Sequence, residues 1–380
     1  MSKYLLVAMD MGTTPPGVVF KTLARSLRTM AELDVICPDF DESFPWEGIR
    51  RISVKPYHIH RWKTIRNYWK YLCINPDDLL WARKAFSQAW PMVKGERYDA
   101  VITLTSMNYF PSIPLGRLLA RKLGVKWAIY SVDGIPSPVE WLEGDSLTHD
   151  RMARWLDRAS KEAQWFFSSN PYMAEYQKVT LKSFRGQWGF LPTPHNLTTS
   201  CPAIPHEGLI FLYTGTLYGL RRIDGLLDGF REFRKTHSDA KLVFIGHIQP
   251  DYKDQAAAMI EDGEVEFLPF RDDLNEYFGK ADVLLDIGAD IPGDVFLSSK
   301  IISYLAMDRP ILAITGPNSP ARNMLGGIPS IIHCSNNKDE VAEALELSTK
   351  AIGRGISDRK AARALFEADN VAKKLLDTIA

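Results

Sequence analysis

Net charge is absent from this chain: 46 Lys and Arg balance 46 Asp and Glu. The balance excludes a global basic field as the basis of nucleic-acid binding, though not a local patch. Cysteine is scarce. Cys37, Cys73, Cys201 and Cys334 lie far apart, which excludes the paired spacings of zinc and redox sites and reads as reduced cytosolic thiols. Long apolar runs are missing at the start. Residues 4–9 end at Asp10, too short a run for a signal core or a membrane span, so a cytoplasmic protein is expected. His195, His206, His247 and His333 lack metal-like spacing, and neither a P-loop nor G-x-S-x-G occurs. No metal site and no cofactor site is legible in these spacings.

What is present is alternation. At 380 residues the chain exceeds one typical core, and two domains are the natural expectation. Short apolar runs at 4–9, 34–37, 100–104, 127–131 and 165–168 alternate with helical patterns such as 19–29, 113–123 and 150–163. This order predicts a parallel sheet. Periodicity disappears at 191–208, LPTPHNLTTSCPAIPHEG, which predicts a linker. Strand-like runs then restart at 209–213, 241–245, 265–268, 283–287, 311–314 and 330–333, with helical patterns between them. The expected division is 1–195, a linker over 196–208, a second domain over 209–357, and a helix over 358–380 that packs back on the first domain. Two doubly wound α/β domains follow, with the cleft between them as the expected site.

The most informative stretch is 294–316, DVFLSSKIISYLAMDRPILAITG, where a serine-capped helix runs into a buried strand. Ser298 and Ser299 suit an N-cap, and Lys300 adds a full charge in the first turn. Such a helix start can hold an anion, and a diphosphate would suit it. An ordinary capped helix fits the same residues. Gly12 and Gly17, in MGTTPPG after the first strand, would let backbone approach a sugar or phosphate, or simply form a turn. Asp133 follows a strand at the carboxyl edge where open α/β sheets bind ligands, and a turn-forming Asp before Gly fits equally. Residues 48–76 hold seven Lys or Arg and no Asp or Glu, with aromatic residues interleaved. Arg61, Trp62, Lys63, Arg66 and Trp69 would suit a phosphorylated or lipid-linked acceptor or anionic lipid headgroups. A solvated helix face fits as well.

Several segments resemble the retaining, nucleotide-sugar-dependent glycosyltransferases of the GT-B architecture, group 1 and family 4-like. YTGTLYGLRRIDGLLDGF is similar to the first strand, glycine turn and helix of that family's donor domain, KLVFIG to its second strand, and VEFLPFRDDLNEYFGKADVLLDIG to the segment passing the nucleobase. SSKIISYLAMDRPILAITG resembles the signature helix and strand. In the first half, NPYMAEY and LPTPHN match in outline. The resemblance implies an α/β fold with two Rossmann-like doubly wound domains facing a central cleft.

It also implies site roles. Arg221 stands where the family usually has a lysine after the glycine turn at Gly215, with Arg222 beside it, and Lys300, Ser298 and Ser299 would complete a diphosphate site. A leaving diphosphate needs fixed cations where water is excluded. Two arginines at a helix start oppose the dipole, which is itself a reason to expect an anionic partner. Arg271 falls in the nucleobase region, and Asp133 takes the place of a residue near the acceptor, for orientation or proton removal. One departure matters. Two glutamates usual in the family are Val295 and Ser303 here. Ser303 offers a hydrogen bond but no carboxylate, leaving Asp290 or Asp294, together with Gly12, as candidates near the donor sugar or ribose.

The expected function is sugar transfer from a nucleoside diphosphate sugar, of UDP or GDP type, to a hydroxyl of a saccharide or lipid-linked saccharide. Retention of configuration, polysaccharide or glycoconjugate biosynthesis, and a cytoplasmic place with peripheral contact to an anionic membrane belong to this expectation, without nucleic acid. A non-catalytic partner or scaffold of the same fold, and a nucleotide-sugar epimerase, are the alternatives.

Overall fold

The computed structural model describes residues 1–56, 76–107, 110–197, 201–354 and 357–380. The chain divides into one unit of Met1–His195 with Phe366–Ala380 and a second of Asn196–Leu365. The division falls inside the proline- and threonine-rich stretch.

The first unit carries strands β1 (Lys3–Val7), β2 (Asp10–Met11), β3 (Glu32–Cys37), β4 (Asp39–Phe40), β5 (Ile49–Ser53), β6 (Ala100–Thr105), β7 (Lys126–Ser131), β8 (Trp165–Ser168) and β9 (Gln187–Phe190). Among the described residues seven of them form a parallel sheet in the order β5-β3-β1-β6-β7-β8-β9. Strand β1 shows why an apolar run becomes a central parallel strand. Tyr4 and Leu6 pack against Phe20 and Leu23 of the helix Pro15–Leu27 and against Val371 and Leu375 of the helix Ala368–Ile379. Leu5 and Val7 face Leu115 and Leu119 of the helix Ser112–Leu123. Both faces are covered, so both side-chain sets must be apolar.

The expected single helix over 358–380 is instead a short turn, Ser357–Arg359, then helices Lys360–Phe366 and Ala368–Ile379 with Glu367 between them. Four strands of the first unit escaped the sequence reading: the two-residue β2 and β4, and the longer β5 and β9. Sequence IRRIS of β5 puts two arginines in the middle of an edge strand, and QWGF of β9 contains a glycine, so neither presents an apolar run.

The second unit carries β10 (Ile210–Thr214), β11 (Lys241–Ile245), β12 (Val265–Leu268), β13 (Val283–Ile287), β14 (Ile311–Ile314) and β15 (Ile331–Cys334). They form a parallel sheet in the order β12-β11-β10-β13-β14-β15. One face buries Phe211, Tyr213, Leu285 and Ile287 under Leu226 and Phe230 of the helix Asp224–Phe233 and Val341 and Leu345 of the helix Lys338–Lys350. The strand order reverses between β10 and β13. In open α/β sheets, ligands bind outside the carboxyl ends of strands at such a point. Among the described residues, no helix is long and apolar enough to cross a membrane.

Candidate functional site

The reversal point in the second unit is built on two glycines. Gly215, directly after β10, has φ +111°, and Gly246, directly after β11, has φ +140°. A Cβ on Gly246 would lie 2.2 Å from the Gly215 carbonyl oxygen, so the two strand ends approach as only glycine permits. The Tyr213 hydroxyl donates to the Thr216 carbonyl at 2.8 Å and closes the turn.

Two cations gather there. The Lys300 side chain passes over the Gly215 backbone, and its Nζ rests 4.9 Å from the Tyr213 ring centroid. Arg221 Nη1 donates to the Thr216 carbonyl at 3.2 Å, with its guanidinium 4.9 Å from the Tyr218 ring centroid. Burial pulls the Lys300 pKa down to about 8, with Asp286 opposing that change and Arg221 reinforcing it. Asp294 is also buried, and its Oδ1 accepts from the Phe296 N–H at 3.1 Å. Burial pushes the Asp294 carboxyl up to about 6, against the pull of Arg221. The fold therefore brings together Gly215, Arg221, Asp294 and Lys300.

The helix start differs from expectation. Helix Ser299–Tyr304 has only six residues, and the Ser298 hydroxyl accepts from the Lys300 N–H at 3.2 Å. That N–H is taken and six residues make no long helix dipole, so an anion placed here would be met by side-chain charge. Ser299 is exposed. Ser303, also exposed, donates to the Ser299 carbonyl at 3.1 Å. Arg222 is not gathered with the others: it is exposed and forks onto Asp224 at 2.6 and 3.1 Å. Asp290 is exposed, beside Gly316.

Beside the Gly246 turn lies a cavity of about 780 Å³, lined in part by Thr216, Tyr218, His247, Gln249, Lys253 and Phe270. His247 and Phe270 stack with centroids 5.5 Å apart and planes within 2°. Sequence reading missed this pair and reached only the neighbouring Arg271, which is exposed and lies 5.6 Å from the Tyr277 ring centroid. The signal was position: both residues lie just past strand ends at the carboxyl edge.

In the first unit, Asp133 follows β7 and accepts from the Met107 backbone N–H, while burial raises its pKa. The Ser131 hydroxyl donates to the Asp133 carbonyl at 2.6 Å. The loop holding Gly12 is packed against its neighbours. A Cβ on Gly12 would meet Lys21 Cδ at 2.8 Å, and one on Gly17 would meet Asp10 Oδ2 at 1.7 Å. The Asp10 carboxylate accepts from the Thr13 and Thr14 N–H groups at 3.1 and 2.9 Å. Room at Gly12 is thus taken by Lys21 of the helix Pro15–Leu27 and by Asp41, and room at Gly17 by Asp10. Arg61, Trp62, Lys63, Arg66 and Trp69 lie outside the described residues. At the edge of that basic stretch, Arg50 forks onto buried Asp34 and Arg51 pairs with Glu42 at 2.5 Å, so two of its charges are already matched.

Residues 208–348, which carry the glycine turn, Arg221, Asp294 and Lys300, match the family model described as Glycosyl transferases group 1. The second unit holds a glycosyltransferase domain. On that domain the chain is a glycosyltransferase, and its two parallel α/β units have the GT-B fold.

Solved structures agree on the fold over the whole chain. Anabaena Alr3699/HepE in complex with UDP is 12% identical with a TM-score of 0.65, covering 100% of this chain and 99% of that one. Sucrose-phosphate synthase from Thermosynechococcus elongatus is 13% identical with a TM-score of 0.67, covering 100% and 98%. The apo form of the lipopolysaccharide outer core galactosyltransferase WaaB is 14% identical with a TM-score of 0.62, covering 100% and 99%. At such identities the likeness is one of fold. No curated protein matches the chain in sequence.

Proposed function

We propose that the glycosyltransferase takes its sugar from a nucleoside diphosphate sugar, of UDP or GDP type, and transfers it to a hydroxyl of a saccharide or lipid-linked saccharide. The observation that carries this reading is the meeting of Arg221 and Lys300 at the Gly215 turn of the matched domain. When the bond between the anomeric carbon and the phosphate oxygen breaks, negative charge develops on the diphosphate. Fixed cations in a partly dehydrated site stabilise that charge. UDP bound to HepE supports the same donor class.

Around these cations the other assignments follow by chemistry. The stacked His247 and Phe270, with Arg271 beside them, offer a flat platform suited to a nucleobase. Asp294 is the acid for the sugar or ribose hydroxyls, in preference to exposed Asp290 and Ser303. In the first unit, Asp133 orients the acceptor hydroxyl or takes its proton, since a carboxylate whose pKa burial raises is a stronger base. Retention of configuration, a place in polysaccharide or glycoconjugate biosynthesis, and peripheral attachment to the cytoplasmic membrane face through residues 61–69 complete the proposal. The positive charge that the leaving group requires comes from Arg221 and Lys300 in this reading, without a metal.

The test is a thermal-shift screen of the purified chain against UDP, GDP, ADP, CMP and dTDP, followed by assays with the matching donor. A ligand that binds only the native state raises apparent stability. A shift with one diphosphate and donor-dependent product supports transfer. Donor interconversion without acceptor would identify an epimerase, and silence toward every nucleotide would favour a non-catalytic partner.

A further inference from the structure

Asp286 is the one acid in the otherwise apolar strand β13, VLLDI. It has no exposed surface, and neither carboxylate oxygen has a hydrogen-bond partner among the described residues. Burying a bare carboxylate is strongly unfavourable, so a nearby positive charge must offset it.

Strand register shows what surrounds it. Asp286 pairs with Ala313 on β14, and Ala313 with His333 on β15. The pairing of Leu212 with Leu284 sets Thr214 of β10 level with Asp286 on the other side. Aligned residues of paired strands share a face, so Thr214, Asp286 and His333 form a polar row opposite the main apolar core. The helix Ser299–Tyr304 lies along this row, and the Tyr304 hydroxyl bonds to Thr214 Oγ1 at 2.9 Å.

Several charged and titratable groups surround Asp286. Asp294 has the same sign and repels it. Tyr213 and Tyr304 are held neutral by burial. Burial brings His333 down to about 4, so it is uncharged near neutrality, and Arg322 behind it donates Nη2 to the Thr315 carbonyl at 2.9 Å. Lys300 belongs to the helix that lies along this row, and its side chain crosses Gly215, the residue after Thr214, so it is the cation placed to answer Asp286. Its ammonium rests over the Tyr213 ring and, among the described residues, in no direct ion pair, which leaves it able to turn toward a ligand.

We propose that Asp286 is a positioning residue: its buried charge holds the Lys300 ammonium beside the Gly215 turn, and an arriving diphosphate takes over as counter-charge. This rests on the donor-site reading above. Asp286 serves as an internal stand-in for the phosphate, keeping Lys300 charged in a site whose burial works against that charge.

The experiment compares the full chain with Asp286→Asn in two ways. Competitive acetylation read by mass spectrometry gives the pH at which Lys300 becomes reactive without any ligand. Calorimetry gives UDP affinity from pH 6.5 to 9. In Asp286→Asn the onset of Lys300 reactivity falls by about one pH unit, the scale of one nearby opposite charge. The alkaline loss of UDP affinity moves down with it. At pH 6.5 the variant binds UDP at least as tightly as the parent, because a repelling carboxylate is gone. Unchanged Lys300 reactivity overturns the proposal. A shifted reactivity with no UDP binding in either protein keeps the Asp286–Lys300 coupling and sinks the donor-site reading instead. Should Asp286→Asn fail to fold, Lys300→Met offers a second route: adding Asp286→Asn to it must raise its melting temperature, and failure to do so overturns the coupling.

Discussion

Lys300 crosses the Gly215 backbone so closely that a Cβ on Gly215 would stand 3.1 Å from Lys300 Cδ. Turn and cation are therefore one device: the glycine clears the path along which the lysine reaches the carboxyl edge of the sheet. The site of the second unit is built on this contact, and its consequences can be measured.

Gly215→Ala should damage both parts. At φ +111° an L side chain is strained whatever the space, and the new methyl pushes on the lysine stem. We expect a stability loss of about 1–3 kcal/mol in urea unfolding, together with weaker UDP binding. A variant as stable and as tight-binding as the parent would show that the turn tolerates a side chain.

Removal of either cation should weaken nucleotide binding directly. Lys300→Ala and Arg221→Ala are each expected to lose about 1.5–3 kcal/mol of UDP affinity by calorimetry, the scale of a charged hydrogen bond. Uridine, which lacks phosphate, should bind all three proteins alike. Equal loss with uridine would mean that these residues shape the pocket rather than hold the diphosphate.

Binding should depend on pH through Lys300. An ordinary lysine stays charged to about 10.4, whereas burial brings this one to about 8. In the free protein its charge is present below that value and disappears above it. UDP affinity should therefore fall as pH rises from about 7 to 9, and Lys300→Arg should flatten the fall because arginine remains charged throughout. A fall just as steep in Lys300→Arg would assign the titration to another group.

Arg359 predicts a purely structural effect. It is fully buried and donates from Nε to Ser330 Oγ at 2.7 Å, with further bonds to the carbonyls of Tyr304, Met307, Arg309 and Ser330. These bonds tie the end of the helix Ser299–Tyr304 to the loop before β15. Arg359→Met should cost about 3 kcal/mol or more, since several buried carbonyls lose their donor together. Differential scanning calorimetry would register this as a lower melting temperature, and an unchanged melt would contradict the staple.

For Asp133→Asn, donor-dependent product formation should drop by about 10²–10⁴ while UDP binding stays as it was, the behaviour of a group that acts on the acceptor proton. Loss of UDP binding in this variant would place Asp133 in donor recognition.

Much of this was legible in the sequence because it depends on local rules. The runs 241–245, 283–287 and 311–314 read as strands because parallel strands covered on both faces must be apolar throughout. Strand β5 was hidden because its arginines are matched by Asp34 and Glu42, partners 16 and 9 residues away in sequence. Arg222 looked equivalent to Arg221 for a different reason: both are arginines at one turn, each within three residues of Asp224, and only the fold shows that Arg222 forks onto it while Arg221 turns to the Thr216 carbonyl.

Two parallel α/β units and the glycine turn were legible along the chain, because periodicity and turn chemistry are properties of neighbours, whereas Arg221 stands out by its place in the family resemblance and Lys300 by its charge at a capped helix start. Tertiary structure alone decided that His247 stacks on Phe270, that the room at Gly17 is filled by Asp10, and that Asp286 lies buried in the row behind Lys300. Those relationships arise where separate strand ends and sheet registers meet in space, and strand order and register follow from packing the whole unit rather than from any single segment.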